Sequence, residues 1–91
     1  MNNEKQEVLT IFMEECAEAT VEASKIIRFG YDNNVPTLEN EIGDVLCMVK
    51  LLEEYGIIDM ENVQPRIAAK REKLKKWSDL SVLSNAVSET N

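Results

Sequence analysis

Histidine is absent from this 91-residue sequence, and its absence excludes several kinds of chemistry. A nucleophilic serine or cysteine that depends on a histidine base is excluded, and so are the common histidine-containing zinc and iron sites. Cysteine is also rare, since only Cys16 and Cys47 are present and they form no CxxC motif. We therefore expect both cysteines to be reduced side chains that pack against apolar neighbours.

Positive charge is scarce, and long apolar runs are missing. The chain has 10 basic and 17 acidic residues, which gives a net charge of −7. The negative net charge argues against a nucleic-acid backbone or an anionic membrane as the main partner. A metal cation can still mediate the binding of a small anion. No apolar segment is long enough to span a bilayer, and the N-terminus does not resemble a signal peptide. We expect a cytoplasmic protein with no nucleic-acid and no membrane partner.

Glycine and proline are few, and Gly30, Pro36 and Gly56 mark the ends of long helical segments. The first predicted helix covers residues 4–29 and ends where Gly30 follows it. The second predicted helix covers residues 37–55, with Thr37 as its N-cap, and stops at Gly56. Both segments are free of internal proline, so each should be one continuous helix.

The third helix is harder to delimit because it contains Pro65. Either the helix begins near Gln64, which places the proline in its first turn, or Asp59 or a nearby residue caps a longer helix that is kinked at the proline. In both cases we expect the helix to end near Trp77. We expect the large rings of Trp77 and Phe12 to belong to the apolar core.

No segment alternates with the period of a β-strand, so the predicted fold is all-α. Three main helices joined by short loops should form an antiparallel bundle. Residues 1–80 are predicted to be one helical domain, and residues 81–91 a C-terminal tail. Because a chain of this length buries only a small core, we expect it to assemble into a dimer or tetramer.

Acidic side chains lie within or beside the apolar stripes of the first two helices. At about 100° per residue, Glu22 lies about 20° and Glu18 about 60° from Glu15, which is inside the stripe of the first helix. On the second helix Glu41 lies inside the apolar stripe and Asp44 at its edge. A merely solvated face would place these acids opposite the apolar residues, so the pattern indicates that they face a shared interior.

Carboxylates that share an interior repel one another, and their lost hydration costs free energy unless it is compensated. A bound divalent metal is the simplest compensation, and ligands made only of oxygen suit a hard cation such as Mg²⁺ or Mn²⁺. On the third helix, Lys70 and Lys73 lie within or beside the apolar stripe in the same way. These two cations could bind phosphates that the metal also holds.

Two short motifs connect these residues with a known family. The segment ECAE at residues 15–18 has the pattern ExxE, and EIGD at residues 41–44 has the pattern ExxD, with 22 residues between them. Together with SKIIRFG, EIGDVLCMVKLL and AAKREK, this pair resembles small single-domain members of the MazG-like all-α nucleoside triphosphate pyrophosphohydrolases. The resemblance covers residues 8–77.

The resemblance implies an activity and a site. A Mg²⁺-bound (deoxy)nucleoside triphosphate would be attacked by water at the α-phosphorus, giving the monophosphate and pyrophosphate. It also implies a homodimer or homotetramer. The candidate bases that activate the water are Glu18 and Glu22. The implied metal ligands are Glu15, Glu18, Glu41 and Asp44. The implied phosphate-binding residues are Lys25, Lys70 and Lys73.

Less specific interpretations remain open for the same residues. The acids can be ordinary helix residues paired with lysines of a neighbour, and the run KREKLKK can be a solvated face. The main alternative function is a non-catalytic acidic helical module that binds another protein. A di-iron carboxylate bundle is disfavoured because it usually needs histidine, and a DNA-binding helix-turn-helix is disfavoured by the net charge.

Overall fold

A computed structural model describes residues 3–83, and these residues form helices and connecting loops with no strand. The three helices are α1 (Asn3–Phe29), α2 (Val35–Glu54) and α3 (Met60–Trp77). One further helical turn covers residues 81–83. The all-α prediction is therefore confirmed. The remainder of the predicted tail, residues 84–91, lies outside the described residues.

The chain divides into two compact units between Ile58 and Asp59. The first unit contains α1 and α2, and its buried core consists of Val8, Met48 and Leu52. These side chains pack together because each lies on the apolar stripe of its helix, and burying that stripe removes hydrocarbon from water. Half-buried apolar side chains surround the core: Leu9, Ile11, Phe12, Leu51, Tyr55, Ile57 and Ile58.

The helices α1 and α2 run antiparallel, as their ends show. The Tyr55 hydroxyl, just after α2, donates a hydrogen bond of 2.9 Å to Glu4 Oε1 in the first turn of α1. The expected core position of Phe12 is confirmed, since its ring packs against the buried residues of the first unit.

Glycine ends α1 and α2, as predicted. Gly30 has φ of +96° and Gly56 has φ of +70°, a backbone conformation that side chains with a Cβ rarely adopt. After α2, the backbone N–H of Gly56 donates to Glu53 O and that of Ile57 donates to Leu52 O, each at 2.9 Å. This pair of bonds is a Schellman motif, which satisfies carbonyls that the helix itself leaves without donors.

The predicted N-cap of α2 is wrong. The helix begins at Val35, two residues before Thr37, with Asn34 in the capping position and Pro36 in the first turn. Asn34 has helical backbone angles, and its side chain donates to Gly30 O at 2.8 Å instead of capping the helix. The Thr37 hydroxyl donates to Asn34 O at 2.9 Å, which is a bond within the helix start. The loop therefore turns directly into the helix without a side-chain cap.

In the second unit, Asp59 decides where α3 begins. Its Oδ1 accepts a hydrogen bond of 2.9 Å from the backbone N–H of Glu61, so the capped alternative is confirmed and a start near Gln64 is wrong. Pro65 lies inside the helix. Without an N–H it cannot donate to the carbonyl of Glu61, but α3 continues through it to Trp77.

The third helix is basic and has no buried residue. It carries six basic against two acidic residues. Trp77 is 82% exposed, so the expectation that it belongs to the core is wrong. It is the last residue of α3, whereas Leu83 is buried among the described residues of the second unit. Within residues 3–83, no helix is both long and apolar enough to cross a membrane.

Candidate metal centre

Three carboxylates from two helices meet in the first unit. Each of Glu15 and Glu18 on α1 and Glu41 on α2 offers one oxygen, and these oxygens all lie within 4.8 Å of one another. The spacing of three residues places the two α1 acids on neighbouring positions of one face, and the antiparallel packing brings α2 alongside. We call these three residues the acidic cluster. Glu15 and Glu41 are half-buried, whereas Glu18 is exposed.

The half-buried members of the acidic cluster have unmet hydrogen-bonding capacity. Glu15 Oε1 and Glu41 Oε2 are buried from solvent and have no hydrogen-bond partner. A buried carboxylate oxygen without a donor is costly, and such orphaned groups require an explanation. The carboxylate oxygens that the cluster brings together fit a hard divalent cation, which would offset the mutual repulsion of the acids.

The cluster makes Glu41 difficult to ionise. Its pKa is raised to about 7, first by loss of hydration and then by the negative charge of Glu18. A hydrogen bond with Glu15 and the charges of Asp44 and Glu15 raise the pKa further. Glu41 therefore binds a proton more readily than an ordinary glutamate does. A cation would replace that proton.

The predicted fourth ligand, Asp44, lies near the cluster without joining it. Its negative charge is one of the causes of the raised pKa of Glu41, but its side chain is exposed and is not one of the three residues whose oxygens meet. It lies one turn after Glu41 on α2, as the ExxD spacing requires. Its role as a ligand stays a prediction.

Glu22 lies one turn beyond Glu18 on α1 and is held in place by Lys25. The Lys25 Nζ lies 3.1 Å from Glu22 Oε2, and the Glu22 side chain is only 15% exposed. Glu22 Oε1 is buried and has no hydrogen-bond partner. The pKa of Glu22 is lowered, first by the side chain of Thr37 and then by that of Lys25.

Thr37 is the residue near the site that sequence reasoning missed. The sequence pattern predicts a helix cap at this position, whereas the Thr37 side chain lowers the pKa of Glu22 across the α1–α2 interface. The available signal was its position four residues before Glu41, which places both on one face of α2.

The predicted phosphate-binding lysines of α3 are exposed and belong to the second unit. Lys70 lines an apolar groove together with Val63 and Ile67. Other basic residues of α3 lie with Lys70 at the rim of this groove. Lys73 lines a different depression, together with Trp77. Their roles stay predictions.

The fold and the acidic cluster define a class: an all-α protein with an oxygen-only site suited to a divalent cation. The family model for the MazG nucleotide pyrophosphohydrolase domain matches residues 3–78, and the chain therefore belongs to this family. Members of the family are generally nucleotide pyrophosphohydrolases, and they typically use a divalent metal. No curated protein and no solved structure gives a significant match.

Proposed function

We propose that this protein is a Mg²⁺-dependent pyrophosphohydrolase that converts nucleoside triphosphates, ribo or deoxy, to monophosphates and pyrophosphate. One observation carries the proposal: carboxylate oxygens of Glu15, Glu18 and Glu41 lie within 4.8 Å of one another, in a chain of this family. The unpartnered oxygens of Glu15 and Glu41 support the same conclusion. In an acidic helix pair without a ligand, the cost of burying these two carboxylate oxygens would not be offset.

The acidic cluster would hold the metal, with Asp44 as the fourth ligand. Mg²⁺ is the preferred ion and Mn²⁺ an acceptable one, because the donors are all oxygen. When bound, the metal would neutralise triphosphate charge and polarise the α-phosphorus. The cluster alone would repel a triphosphate, so nucleotide binding should require the cation.

Activation of the water and neutralisation of the phosphates would use the protein's own side chains. Glu18 or Glu22 would orient and activate the water that attacks the α-phosphorus. The bond from that phosphorus to the α–β bridging oxygen breaks, and pyrophosphate leaves with the electron pair. Lys25, Lys70 and Lys73 would neutralise phosphate charge. For the two lysines of α3, this role is supported by the basic character of that helix and by the resemblance of AAKREK to the family.

The protein would assemble into a homodimer or homotetramer in the cytoplasm, with residues 1–80 as its MazG-like helical domain and residues 81–91 as a C-terminal tail. Support for assembly comes from the small core and from large apolar side chains left exposed on α1 and α2. Ile27 is 86% exposed and Leu46 is 61% exposed. Exposed apolar side chains of this size are typical of surfaces that bind another protein.

The test is turnover of a panel of ribo- and deoxynucleoside triphosphates by the purified protein in Mg²⁺, with the products separated. Monophosphate plus pyrophosphate is the expected pair, and it should be lost in chelator and in the Glu41→Gln variant. Glu39→Gln is the matched control, because Glu39 is an exposed acid of the same helix outside the acidic cluster. Diphosphate plus orthophosphate would indicate a different phosphatase reaction. No turnover and no stabilisation by Mg²⁺ would favour the non-catalytic binding module.

A further inference from the structure

The apolar side chains of α3 are left uncovered on one face of the helix. No residue of α3 is buried, and Ile67 is 53% exposed. A groove of about 580 Å³ lies on this face, lined by Asn62, Val63, Arg66, Ile67, Lys70 and Arg71. We call these residues the basic groove, because cationic side chains accompany its apolar ones. An open apolar face of this kind gains free energy when another surface removes it from water.

The second helix carries an exposed apolar surface of its own. Ile42 is 45% exposed and Leu46 is 61% exposed, and the half-buried Val49 follows three residues later. Around the helix axis these three residues lie at about 100°, 140° and 80° from Glu41, so they form one stripe on a different side of α2 from the acidic cluster. We call them the α2 stripe.

The basic groove and the α2 stripe have the same spacing. Members of the α2 stripe are separated by four and then three positions, and so are Val63, Ile67 and Lys70 of the basic groove. Apolar residues at this spacing form a row along one side of a helix, and two such rows can interdigitate. Lys70 fits the row because its aliphatic stem can cover apolar surface while the ammonium group stays at the rim.

Charge favours contact between α2 and α3 rather than between like helices. The helix α3 carries six basic and two acidic residues, whereas α2 carries five acidic residues and one basic residue, Lys50. Two copies of α3 would repel each other, and so would two copies of α2. Complementary charge of this kind selects the partner surface and steers its approach.

One chain presents both surfaces, and neither is covered among the described residues, since Leu46 and Ile67 are both mostly exposed. The first unit also buries only three side chains, so it gains from further apolar contact. A second copy of the chain offers the complementary surface for each one. Two copies can therefore satisfy both surfaces at once.

We propose that two copies of this protein dock reciprocally, with the basic groove of each copy against the α2 stripe of the other. Because both copies use the same pair of surfaces, the assembly closes as a symmetric dimer. This inference specifies the surface for the assembly given under the proposed function. It does not require that the protein hydrolyse nucleotides.

The test introduces one charge on each surface of the full chain and measures the oligomeric state by sedimentation velocity. The wild type should be a dimer. Leu46→Arg places a cation opposite the basic groove, and Ile67→Glu places an anion opposite the acidic α2. Each variant alone should raise the Kd of the dimer at least about thirtyfold, the effect of disrupting a central interface residue.

A mixture of the two variants tests whether the two surfaces contact each other. In a heterodimer, one interface pairs the introduced cation with the introduced anion, and the other interface is unaltered. The Kd of the heterodimer should therefore lie within about tenfold of the wild-type value. Labelling one variant with a heavy nitrogen isotope identifies the heterodimer by native mass spectrometry.

Lys76→Glu is the matched control for the charge of α3. Lys76 is exposed and follows Ile67 by nine positions, which places it about 180° away around the helix. Its substitution should change the Kd by less than about threefold, because solvent and salt screen charges outside the interface. Thermal unfolding checks that each variant is folded, and Ile42→Arg replaces Leu46→Arg if the latter is not.

Three results would overturn the inference: a monomeric wild type, a dimer that survives both single substitutions, or a mixture of variants that stays monomeric. A monomeric wild type whose unfolding temperature falls with Ile67→Glu would show that the same chain covers the basic groove. Failure of the proposed function has a different signature, which is a dimer with these properties that shows no Mg²⁺-dependent turnover.

Discussion

Glu15 on α1 and Glu41 on α2 each bury one carboxylate oxygen, and neither buried oxygen has a hydrogen-bond partner. The two residues come from different helices and are 26 positions apart in sequence. Their side chains offer oxygens within 4.8 Å of each other and of Glu18. This arrangement is unfavourable for the isolated chain and favourable in the presence of a cation, and it leads to the first two predictions.

Mg²⁺ should stabilise the folded protein, and the Glu41→Gln variant should lose that stabilisation. Glutamine at position 41 keeps one amide oxygen but removes a negative charge from the acidic cluster. The variant should therefore bind the cation more weakly and, because the repulsion is reduced, be at least as stable as wild type in chelator. A Mg²⁺ concentration one hundred times the Kd would stabilise the wild type by about 2.7 kcal/mol. Thermal unfolding with and without Mg²⁺ measures the difference. An equal loss in the Glu39→Gln control would contradict a specific site.

Without metal, the protein should become less stable as the pH rises. The pKa of Glu41 is about 7 in the folded chain against 4.5 for the ordinary side chain, so the folded state binds more protons between these values. Its contribution is fully present below pH 4.5 and is lost as the pH rises through 7.

Urea unfolding in chelator at pH 5.5 and 7.5 tests this prediction within the window that Glu41 controls. Mg²⁺ should remove or reverse the trend, because the metal binds the ionised carboxylates. Glu41→Gln should flatten the dependence on pH. A metal-free wild type whose stability rises with pH over this interval would show that the pKa of Glu41 is not elevated.

Leu52→Ala should strongly destabilise the α1–α2 pair. Leu52 is 5% exposed and is one of three buried side chains in the first unit. Truncation removes buried hydrocarbon and leaves a cavity, which costs about 2–5 kcal/mol. Glu53→Ala, at an exposed polar position of the same helix, should change the free energy of unfolding by less than about 0.5 kcal/mol. Chemical denaturation of both variants provides the comparison, and similar losses would contradict the described core.

Asp59→Ala should loosen the start of α3, whereas Thr37→Ala should leave the start of α2 nearly unchanged. Asp59 caps its helix through Oδ1, while Thr37 donates within its own helix start. Loss of an N-cap costs about 1 kcal/mol. Amide hydrogen exchange should therefore accelerate in the first turn of α3 in the Asp59 variant. Faster exchange at the start of α2 in the Thr37 variant would instead support the cap that the sequence suggested.

Local features of the fold could be predicted because they depend on residues close in sequence. Gly30 and Gly56 end helices because only glycine easily takes the positive φ found at both positions. The start of α2 could not be predicted in this way. The Asn34 side chain donates to Gly30 O rather than capping the helix. Pro36 is tolerated in the first turn of α2 because the backbone N–H that proline lacks would have no partner within the helix there. Several residues compete for such a cap, and packing selects among them.

The sequence by itself determined the helices and the faces on which the carboxylates lie, since a period of 3.6 residues places Glu15 beside Glu18 without reference to the rest of the chain. Only the tertiary structure decided that Glu41 meets them, because that contact depends on how α2 packs along α1. Packing also decided the raised pKa of Glu41 and the burial of the Glu22 side chain. Burial and proximity across helices change the cost of a charge, and residue order alone does not specify either one.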